Sequence, residues 1–412
     1  MASSSSTTTT SASSETLIPG LPDDITTQIL LSLPLPHQLR LRPTCRRWSR
    51  LLSPPTSFPL RRALRLPSIS LLCIFPSDPS IIPPLLFDPL SLCWRTLPHL
   101  PCSPFFYNLT HFNPAYLSPF LYLIGGSLFD THSYPLGQPT PSGACYRLDL
   151  LALGNPHSLN WERVEDMNSP RGSFACAITG NDGIVVAGGG SRHSVYPSHG
   201  SRISSVERYD VTSGKWTNLE RLPSYRAGCA GFIRTGAEED EFWVMGGYGD
   251  YTTLSGVVPA DVYYKDAVVL GLKSGMWKEV GDMWLEGERV RMGPLAVAEG
   301  SDGKAEAVFM LDDNEVFRYD FACNTWLKET SLKKKITDNE SCGFAAMNGD
   351  LFVLTSVLKP DGSDFRRPYK RRPTLEVQVY STYKKKWKLF IAHPPIYQPI
   401  DFKSTILCTI QV

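Results

Sequence analysis

The sequence lacks the features that mark secreted, membrane-spanning and generally nucleic-acid-binding proteins. Its ten cysteines include no Cys-x-x-Cys pair, and most of them lie in apolar runs, as reduced core thiols do. No apolar run approaches the roughly 18 residues that are needed to span a bilayer. The net charge of +1 provides no general attraction to phosphate backbones or acidic membranes. These absences predict a soluble protein of a reducing compartment, the cytoplasm and/or the nucleus.

The N-terminus, MASSSSTTTTSASSE, also lacks what a targeting signal needs. It has neither the basic start nor the apolar stretch of a secretory signal, and it contains no arginine, which an organellar transit peptide requires. We therefore expect residues 1–16 to form a disordered, Ser/Thr-rich tail.

Turn-forming residues are abundant in the chain. Its 412 residues include 31 glycines and 34 prolines, while the hydrophobic share of 42% and the charged share of 20% are close to those of globular proteins. This composition favours many turns over long helices and predicts a β-rich protein. Length alone leaves the number of domains open, because a ring of repeats can absorb most of a chain of this size.

Short helices are predicted between residues 17 and 56. Pro22 and the two aspartates that follow it begin a first helix, since acidic residues suit the positive end of the helix dipole. Pro34 ends that helix, Pro43 interrupts a second one, and Thr44 is a candidate cap for a third. Three short helices within about 40 residues bury too little apolar surface to be stable alone. They either pack against the rest of the chain or bind a partner.

One set of positions in this segment follows a recognisable motif. The matching residues are Leu21-Pro22-Asp23-Asp24, Ile29-Leu30, Leu33, Leu39, Arg42, Cys45-Arg46-Arg47-Trp48 and Leu51-Leu52. Their spacing resembles the F-box, which docks the Skp-type linker of SCF ubiquitin ligases. The resemblance implies a linker-binding set of Leu21, Pro22, Ile25, Ile29, Leu30, Leu39 and Leu41, and a packing role for Trp48. Pro43 departs from the family pattern, which often has a small or β-branched residue there, and is expected to shorten the second helix.

From Ile69 onward, short β-type runs alternate with turns, and tryptophan reveals a repeat. Five tryptophans stand seven positions after an apolar or aromatic residue: Phe87 and Trp94, Tyr209 and Trp216, Leu270 and Trp277, Tyr319 and Trp326, Tyr380 and Trp387. An insertion separates a sixth predicted pair, Tyr146 and Trp161. Three apolar runs end in glycine pairs, at 125–126, 188–189 and 246–247. Paired glycines suit strand ends where positive φ or close backbone approach is needed.

The repeating order of strands, Gly-Gly and Trp resembles the kelch repeat, in which each unit is a four-stranded blade of a propeller. The resemblance covers residues 69–412, although the units that end at Trp326 and Trp387 lack the glycine pair. Six blade-ending tryptophans accompany five complete first strands. We therefore expect residues 405–412 to supply the innermost strand of the first blade and to close the ring. The predicted fold is mainly β, a six-bladed kelch-type propeller (69–412) preceded by a short three-helix F-box segment (17–56) and a linker (57–68).

Partner contacts are expected in the loops, because the Trp and Gly-Gly positions are scaffold. Tyrosine and arginine among small residues are typical of binding surfaces. The candidates in the insertions after the glycine pairs are His132, Tyr134, Arg192, His193, Tyr196, His199, Arg202, Tyr248 and Tyr251. A second set, Arg171 and Arg226, precedes first strands. These arginines either contact a substrate or bridge neighbouring blades and cap strand ends.

A basic stretch, residues 359–372, is followed closely by Lys384, Lys385 and Lys386. Most runs of this kind are solvated loops. The alternatives are a nuclear-import signal or a surface for an acidic partner. Nucleic-acid recognition is disfavoured because no reading element accompanies the charge.

Together the two resemblances imply an adaptor of the type common in plants. Its F-box would bind a Skp-type linker and cullin scaffold, and its propeller an unknown target for ubiquitination and degradation. This prediction includes no catalytic residue, no metal site and no cofactor. Two alternatives remain, a kelch scaffold without a ligase role and a kelch-fold metal-dependent enzyme. The enzyme is disfavoured because no histidine has an acidic residue four positions before it, as the iron-binding run of plant specifier proteins has.

Overall fold

The structure, a computed structural model, describes most of the chain. The described residues are 16–76, 82–101, 106–130, 139–155, 157–180, 182–191, 201–254, 258–300, 302–337, 340–360 and 371–411. They belong to two compact units, Met1–Ile69 with Leu151–Pro156, and Ser70–Leu150 with His157–Val412. None of the described helices has the length and apolar composition that a membrane crossing requires.

The first unit is helical. Its helices are α1 (Asp23–Ser32), α2 (Leu35–Leu41), a 3-10 turn (Arg42–Thr44), α3 (Arg46–Leu51) and α4 (Pro54–Ala63). Helix α1 begins directly after Pro22, with Asp23 and Asp24 in its first turn, as predicted. The predicted linker begins at residue 57, which lies inside α4.

Pro43 has the expected effect on the second helix, but the cap of the third differs from the prediction. Helix α2 ends at Leu41, and Pro43 lies in the 3-10 turn that follows it. Thr44 belongs to that same turn, so Cys45 takes the capping position. The Cys45 Sγ accepts a hydrogen bond from the Trp48 backbone N–H at 3.4 Å.

The small helical core is held together by leucines and by polar groups at the end of α1. Leu30, Leu31 and Leu52 are buried, and Trp48 packs against them. The prolines after α1 cannot supply N–H donors to its last carbonyls. The Gln38 amide donates to the Leu31 and Leu33 carbonyls at 3.0 and 2.7 Å, and the Arg61 guanidinium also donates to Leu31.

The second unit contains six four-stranded antiparallel sheets among the described residues. Blade 1 has β1 (Ser70–Phe75), β2 (Leu85–Asp88), β3 (Cys93–Thr96) and the last strand of the chain, β31 (Ile406–Gln411). Blade 2 has β5 (Asn113–Leu117), β6 (Phe120–Ile124), β9 (Cys145–Asp149) and β10 (Trp161–Val164). Blade 3 has β11 (Ala175–Thr179), β12 (Gly183–Ala187), β15 (Val206–Asp210) and β16 (Lys215–Leu219).

The remaining blades follow the same order. Blade 4 has β17 (Ala230–Thr235), β18 (Asp240–Met245), β21 (Asp266–Gly271) and β22 (Trp277–Asp282). Blade 5 has β23 (Leu295–Glu299), β24 (Ala305–Asp312), β25 (Glu315–Asp320) and β26 (Thr325–Ser331). Blade 6 has β27 (Cys342–Met347), β28 (Asp350–Pro360), β29 (Arg371–Ser381) and β30 (Lys386–Ala392).

The inner strands of most successive blades adjoin one another around the ring, and between blades 4 and 5 the inner strand β17 contacts β24. Strand β31 contacts both β27 of blade 6 and β5 of blade 2. In blade 1, β31 is the innermost strand and pairs antiparallel with β1, with Ser70 opposite Gln411 and Phe75 opposite Ile406. The first blade therefore combines the two ends of the propeller sequence. This pairing covers an edge of β1 that would otherwise be open to other chains.

The repeated tryptophans join the blades. In five blades the predicted partner lies directly across the outer hairpin from the tryptophan; the pairs include Phe87 with Trp94 and Tyr380 with Trp387. In blade 2 the residue opposite Trp161 is Leu148, not the predicted Tyr146, because the insertion changes the spacing. The indole N–H of Trp161 donates to the Pro98 carbonyl of blade 1 at 2.9 Å. Trp216 and Trp277 repeat this bond to the blade before their own.

Described parts of the insertions that follow the glycine pairs form small sheets, and β4, which precedes the first glycine pair, joins one of them. These consist of β4 (Phe106–Thr110) with β7 (Ser127–Asp130) and β8 (Thr140–Pro141), β13 (Gly190–Ser191) with β14 (Ser201–Arg202), and β19 (Tyr248–Leu254) with β20 (Val258–Tyr263). All six paired glycines have positive φ, as expected for strand ends of this kind.

Candidate partner-binding surfaces

Three large aliphatic side chains lie exposed along the start of the helical unit. Leu21, Ile25 and Ile29 are 36%, 42% and 46% exposed. Their spacing of four residues places them along one side of α1 and the turn before it. We call these three residues the α1 stripe. A contiguous apolar stripe on the surface of a folded unit is typical of a site that a partner covers.

The other predicted linker-binding residues have different environments. Pro22 is exposed beside the α1 stripe, while Leu39 and Leu41 are half-buried. Leu30 is 2% exposed and packs in the helical core, which corrects its assignment to the linker-binding set. The reason is helical geometry, since the residue after Ile29 points about 100° away around the helix.

The assignment of Arg171 as a substrate-binding candidate is also corrected, because its side chain is fully buried. Its guanidinium donates to the Gly188 and Ser205 carbonyls, both at 2.8 Å, and to the carboxylate of Glu207. Its backbone carbonyl accepts a hydrogen bond from the Gly126 N–H of blade 2 at 2.8 Å. Arg171 therefore bridges two blades and leaves no donor for direct contact with a substrate.

Arg226 has the equivalent position one blade later. It is 1% exposed and pairs with both carboxylate oxygens of Asp266 at 2.9 Å. It also donates to the Gly246 carbonyl at 2.9 Å, and its own carbonyl accepts from the Gly189 N–H at 2.7 Å. Because Arg226 is buried, its assignment to substrate binding is corrected as well. Both arginines instead bridge neighbouring blades.

Arg202 and Tyr248 hold two insertion sheets together. The Arg202 guanidinium pairs with Asp261 of β20 at 2.6 Å, where the two side chains are 9% and 2% exposed. The same guanidinium lies 5.4 Å from the centre of the Tyr248 ring, which is a cation–π distance. Tyr248 is itself 7% exposed. These residues fix the loops in place and have little surface left for a partner.

The remaining loop candidates cannot be placed in the site. His132, Tyr134, Arg192, His193, Tyr196 and His199 lie outside the described residues. Tyr251 is paired through its backbone with Asp261, and its side chain is likewise outside the described part of the chain. Their role in substrate binding stays a prediction.

An axial cavity of about 460 Å³ lies between the inner strands of the blades. Its lining includes Asn113, Cys176, Asn348, Cys408 and the carboxylates of Glu299 and Asp302. Glu299 is exposed to the cavity, yet the surrounding inner strands desolvate its carboxyl. This desolvation, with a smaller contribution from the charge of Asp302, raises the pKa of Glu299 to about 7. Within the described ranges, no group of three or more His, Cys, Asp or Glu residues is arranged to hold a metal ion.

One exposed feature was not anticipated from the sequence. Leu389 and Ile391, on the outer strand of blade 6, are 43% and 45% exposed. The signal was present in the strand itself, where aliphatic residues follow Lys386, Trp387 and Lys388. The repeat pattern predicts only a scaffold role for this strand.

Two family models match separate parts of this chain. The F-box domain model matches residues 18–58, and the kelch motif model matches residues 171–223. The F-box/kelch-repeat protein OR23 of Arabidopsis thaliana is 43% identical over 417 residues, covering 97% of this chain and 92% of the relative. Another F-box/kelch-repeat protein of Arabidopsis thaliana is 25% identical over 65% of this chain and 66% of its own length. The solved structure of YjhT aligns with 73% of this chain and 88% of its own, at 14% identity and a TM-score of 0.45.

Proposed function

Because this chain belongs to the F-box/kelch-repeat protein family, we propose that it is the substrate-recognition adaptor of an SCF-type ubiquitin ligase. The helical unit binds a Skp-type linker, which joins it to a cullin scaffold, and the propeller holds a target protein for ubiquitination and proteasomal degradation. The presence of an F-box together with kelch repeats supports an adaptor role in general.

The α1 stripe is the observation that carries the proposal. Burying a fully exposed leucine or isoleucine side chain contributes roughly 1.5–3 kcal/mol. Because Leu21, Ile25 and Ile29 are 36%, 42% and 46% exposed, covering all three adds about 2–4 kcal/mol of stabilisation. A linker that covers Leu21, Ile25 and Ile29 recovers that energy on binding. The neighbouring Leu30 and Leu31 complete the helical core without them, so the stripe is free for a partner.

The adaptor acts by proximity. When one chain binds both the ligase and the target, the transfer of ubiquitin to a target lysine proceeds at a high effective concentration. The transfer itself takes place on other subunits, so no residue of this chain needs a catalytic role. The propeller suits the holding role because the Arg171 and Arg226 bridges and the Arg202 pair make its loops a firm base.

We place this function in the cytoplasm and/or the nucleus. The nine cysteines in the described part of the chain are free thiols, and most are buried or partly buried. Free thiols in these positions are suited to a reducing compartment, which is where ubiquitin ligases of this type act.

Linker binding tests the proposal. We expect Ile25→Asp/Ile29→Asp to weaken binding of a purified Skp-type linker by about a hundredfold, since charge replaces apolar contact at a buried interface. Leu21→Asp/Pro22→Ala extends the test to the turn before α1. The matched control is Leu90→Asp, because Leu90 is a leucine of the propeller that is 90% exposed. Circular dichroism checks that every variant is folded.

Two results would contradict the proposal. If the α1 variants bind the linker as well as the unchanged protein does, the ligase role is wrong and the scaffold alternative replaces it. If proximity labelling during proteasome inhibition yields stable partners whose abundance does not change when the gene is deleted, degradation is wrong even where linker binding is retained.

A further inference from the structure

The outer strand of blade 6 exposes two aliphatic side chains on one face. Strand β30 is an edge strand, and within the described part of the chain no other strand pairs with its outer side. Leu389 and Ile391 are nearly half exposed there. By contrast, the exposed residues of β22, the outer strand of blade 4, are Lys278, Glu279, Gly281 and Asp282. The outer strand of blade 5, β26, exposes a single aliphatic residue, Leu327. Blade 6 therefore presents aliphatic side chains where blade 4 presents charged residues and glycine.

Leu389 and Ile391 share one face of blade 6 with a lysine-rich segment. They lie directly opposite Gln378 and Glu376 of β29, and residues opposite each other in an antiparallel pair point to the same face. Lys334 binds both of those side chains: its backbone N–H donates to the Gln378 side chain at 2.8 Å, and its ammonium group pairs with Glu376. The segment around Lys334 thus lies beside the two exposed aliphatic residues.

The charge around this edge is strongly positive. Residues 328–335 and 384–388 contain eight lysines and one glutamate. Three of the lysines are paired, Lys328 with Glu315, Lys334 with Glu376 and Lys385 with Glu329. The other five have no carboxylate partner among the described residues: Lys333, Lys335, Lys384, Lys386 and Lys388. This concentration contrasts with the net charge of +1 of the whole chain.

We infer that the outer edge of β30 is a docking site for an extended peptide segment of another protein, in which acidic and aliphatic residues alternate. The segment adds to blade 6 as a fifth strand through the open backbone groups of β30. Its aliphatic residues contact Leu389 and Ile391 on one face. Its carboxylates lie beside Lys386 and Lys388 on the other face, since side chains alternate along a strand. The site is separate from the α1 stripe and does not depend on linker binding.

A simpler role for the lysines explains only part of this arrangement. Charged residues on an edge strand prevent two copies of a sheet from joining, and lysine is common in that role. An edge strand that only has to prevent this joining should carry no exposed aliphatic residues, because exposed aliphatic residues favour the pairing of two sheet edges. Leu389 and Ile391 indicate instead that the edge accepts a strand, while the lysines select an acidic one.

Fluorescence anisotropy with the full-length protein tests this inference. The probe is a labelled peptide of alternating glutamate and valine or isoleucine, with the seven-residue length of β30. A second peptide has the same residues arranged as one acidic and one aliphatic block, so its charge is identical. We expect the alternating peptide to bind at least about tenfold more tightly than the block peptide, because only alternation matches the two faces of a strand.

Two double variants examine the two faces separately. Leu389→Glu/Ile391→Glu and Lys386→Glu/Lys388→Glu should each weaken binding of the alternating peptide by about tenfold or more. Leu90→Glu, on an exposed turn of blade 1, is the matched control and should bind normally. All four changed positions on β30 are exposed, so the variants should fold, and thermal melting verifies it.

Several outcomes would overturn the inference. Equal binding of the alternating and block peptides would show that charge alone attracts them. Unchanged binding by either double variant would place the contact elsewhere, and absence of binding by the unchanged protein would leave the lysines with only their protective role. Single-stranded RNA or anionic vesicles that displace the peptide equally from the unchanged protein and from Leu389→Glu/Ile391→Glu would indicate a general polyanion surface.

Discussion

Arg171 and Glu207 form an ion pair from which water is excluded, since both side chains are 0% exposed. Desolvation lowers the pKa of the Arg171 guanidinium, and the charge of Glu207 opposes that effect. The Glu207 carboxylate also accepts hydrogen bonds from the backbone N–H groups of Asn168 and Ser169, at 2.8 and 3.0 Å. The pair therefore fixes the chain between blades 2 and 3 and so sets how these two blades pack in the ring.

Removing one partner of this pair should destabilise the propeller strongly. We expect Arg171→Ala to lower the free energy of unfolding by about 3–5 kcal/mol, because it leaves a buried carboxylate without its counter-charge. The control is Arg208→Ala, which breaks an exposed pair with Asp182 at 3.5 Å and should cost less than about 1 kcal/mol. Urea unfolding measures both. Equal, small losses in the two variants would contradict a bridging role for Arg171.

Gly188 should tolerate a side chain less well than a glycine with the same backbone angle in open space. A Cβ on Gly188 would lie 2.2 Å from the Arg226 carbonyl oxygen, whereas one on Gly275 would meet nothing within 4 Å. Their φ values are +65° and +68°, so the conformational cost of alanine, about 1 kcal/mol, is shared. Gly188→Ala should lose clearly more stability than Gly275→Ala in the same urea titration. Similar losses would mean that blades 3 and 4 are not in close backbone contact.

Closure of blade 1 depends on the burial of Ile410, which lies opposite Leu71 and is 0% exposed. We expect Ile410→Ala to cost about 2–5 kcal/mol, as for other fully buried aliphatic residues. The neighbouring Gln411 is exposed, and Gln411→Ala should change the stability by less than about 0.5 kcal/mol. Calorimetric melting compares them. If Ile410→Ala melts like the unchanged protein, the last strand contributes little to the ring.

The raised pKa of Glu299 predicts a pH dependence of stability. In the unfolded chain a glutamate has a pKa of about 4.3, whereas the pKa of Glu299 in the folded protein is about 7. The folded state therefore binds a proton at Glu299 more strongly than the unfolded chain does. The contribution of Glu299 to stability is fully present below pH 4 and is lost as the pH rises through 7. Glu299→Gln removes the titration.

Urea midpoints at pH 5 and pH 8 measure this effect. The unchanged protein should lose stability relative to Glu299→Gln between the two values. Asp302→Asn should make the loss smaller, because the negative charge of Asp302 is one cause of the raised pKa. Parallel pH profiles of the unchanged protein and Glu299→Gln would show that the axial cavity hydrates this carboxyl fully.

Local chemistry made several parts of the structure predictable. Pro22 and the two aspartates placed the start of α1, and proline placed the end of α2, because both effects act within one helical turn. The glycine pairs were recognised as strand ends, and five tryptophans were matched to the residues opposite them. The match failed in blade 2, where Leu148 replaces Tyr146 opposite Trp161. An insertion between two strands changes sequence spacing but leaves the pairing register to be decided by packing.

The surfaces were predicted less well than the elements. Ile29 and Leu30 are adjacent and equally apolar, yet one is exposed and the other is buried. For Arg171 and Arg226 the sequence left substrate contact and the bridging of neighbouring blades both open, and they are among the largest fully buried side chains. The folding of the insertions into small sheets, locked by Arg202 and Asp261, was also not anticipated.

The sequence by itself determined the types of element, their repeat, the family and the strand that was missing from the first blade, because periodicity, turn residues and strand counting are properties of nearby residues. Only the tertiary structure decided which arginines became internal bridges, which leucine of α1 entered the core and which edge of the ring kept its aliphatic residues in water. The reason is that burial depends on groups that are far apart in the chain. The partners of Arg171 lie up to 36 residues further along the chain, and no local pattern encodes their arrival.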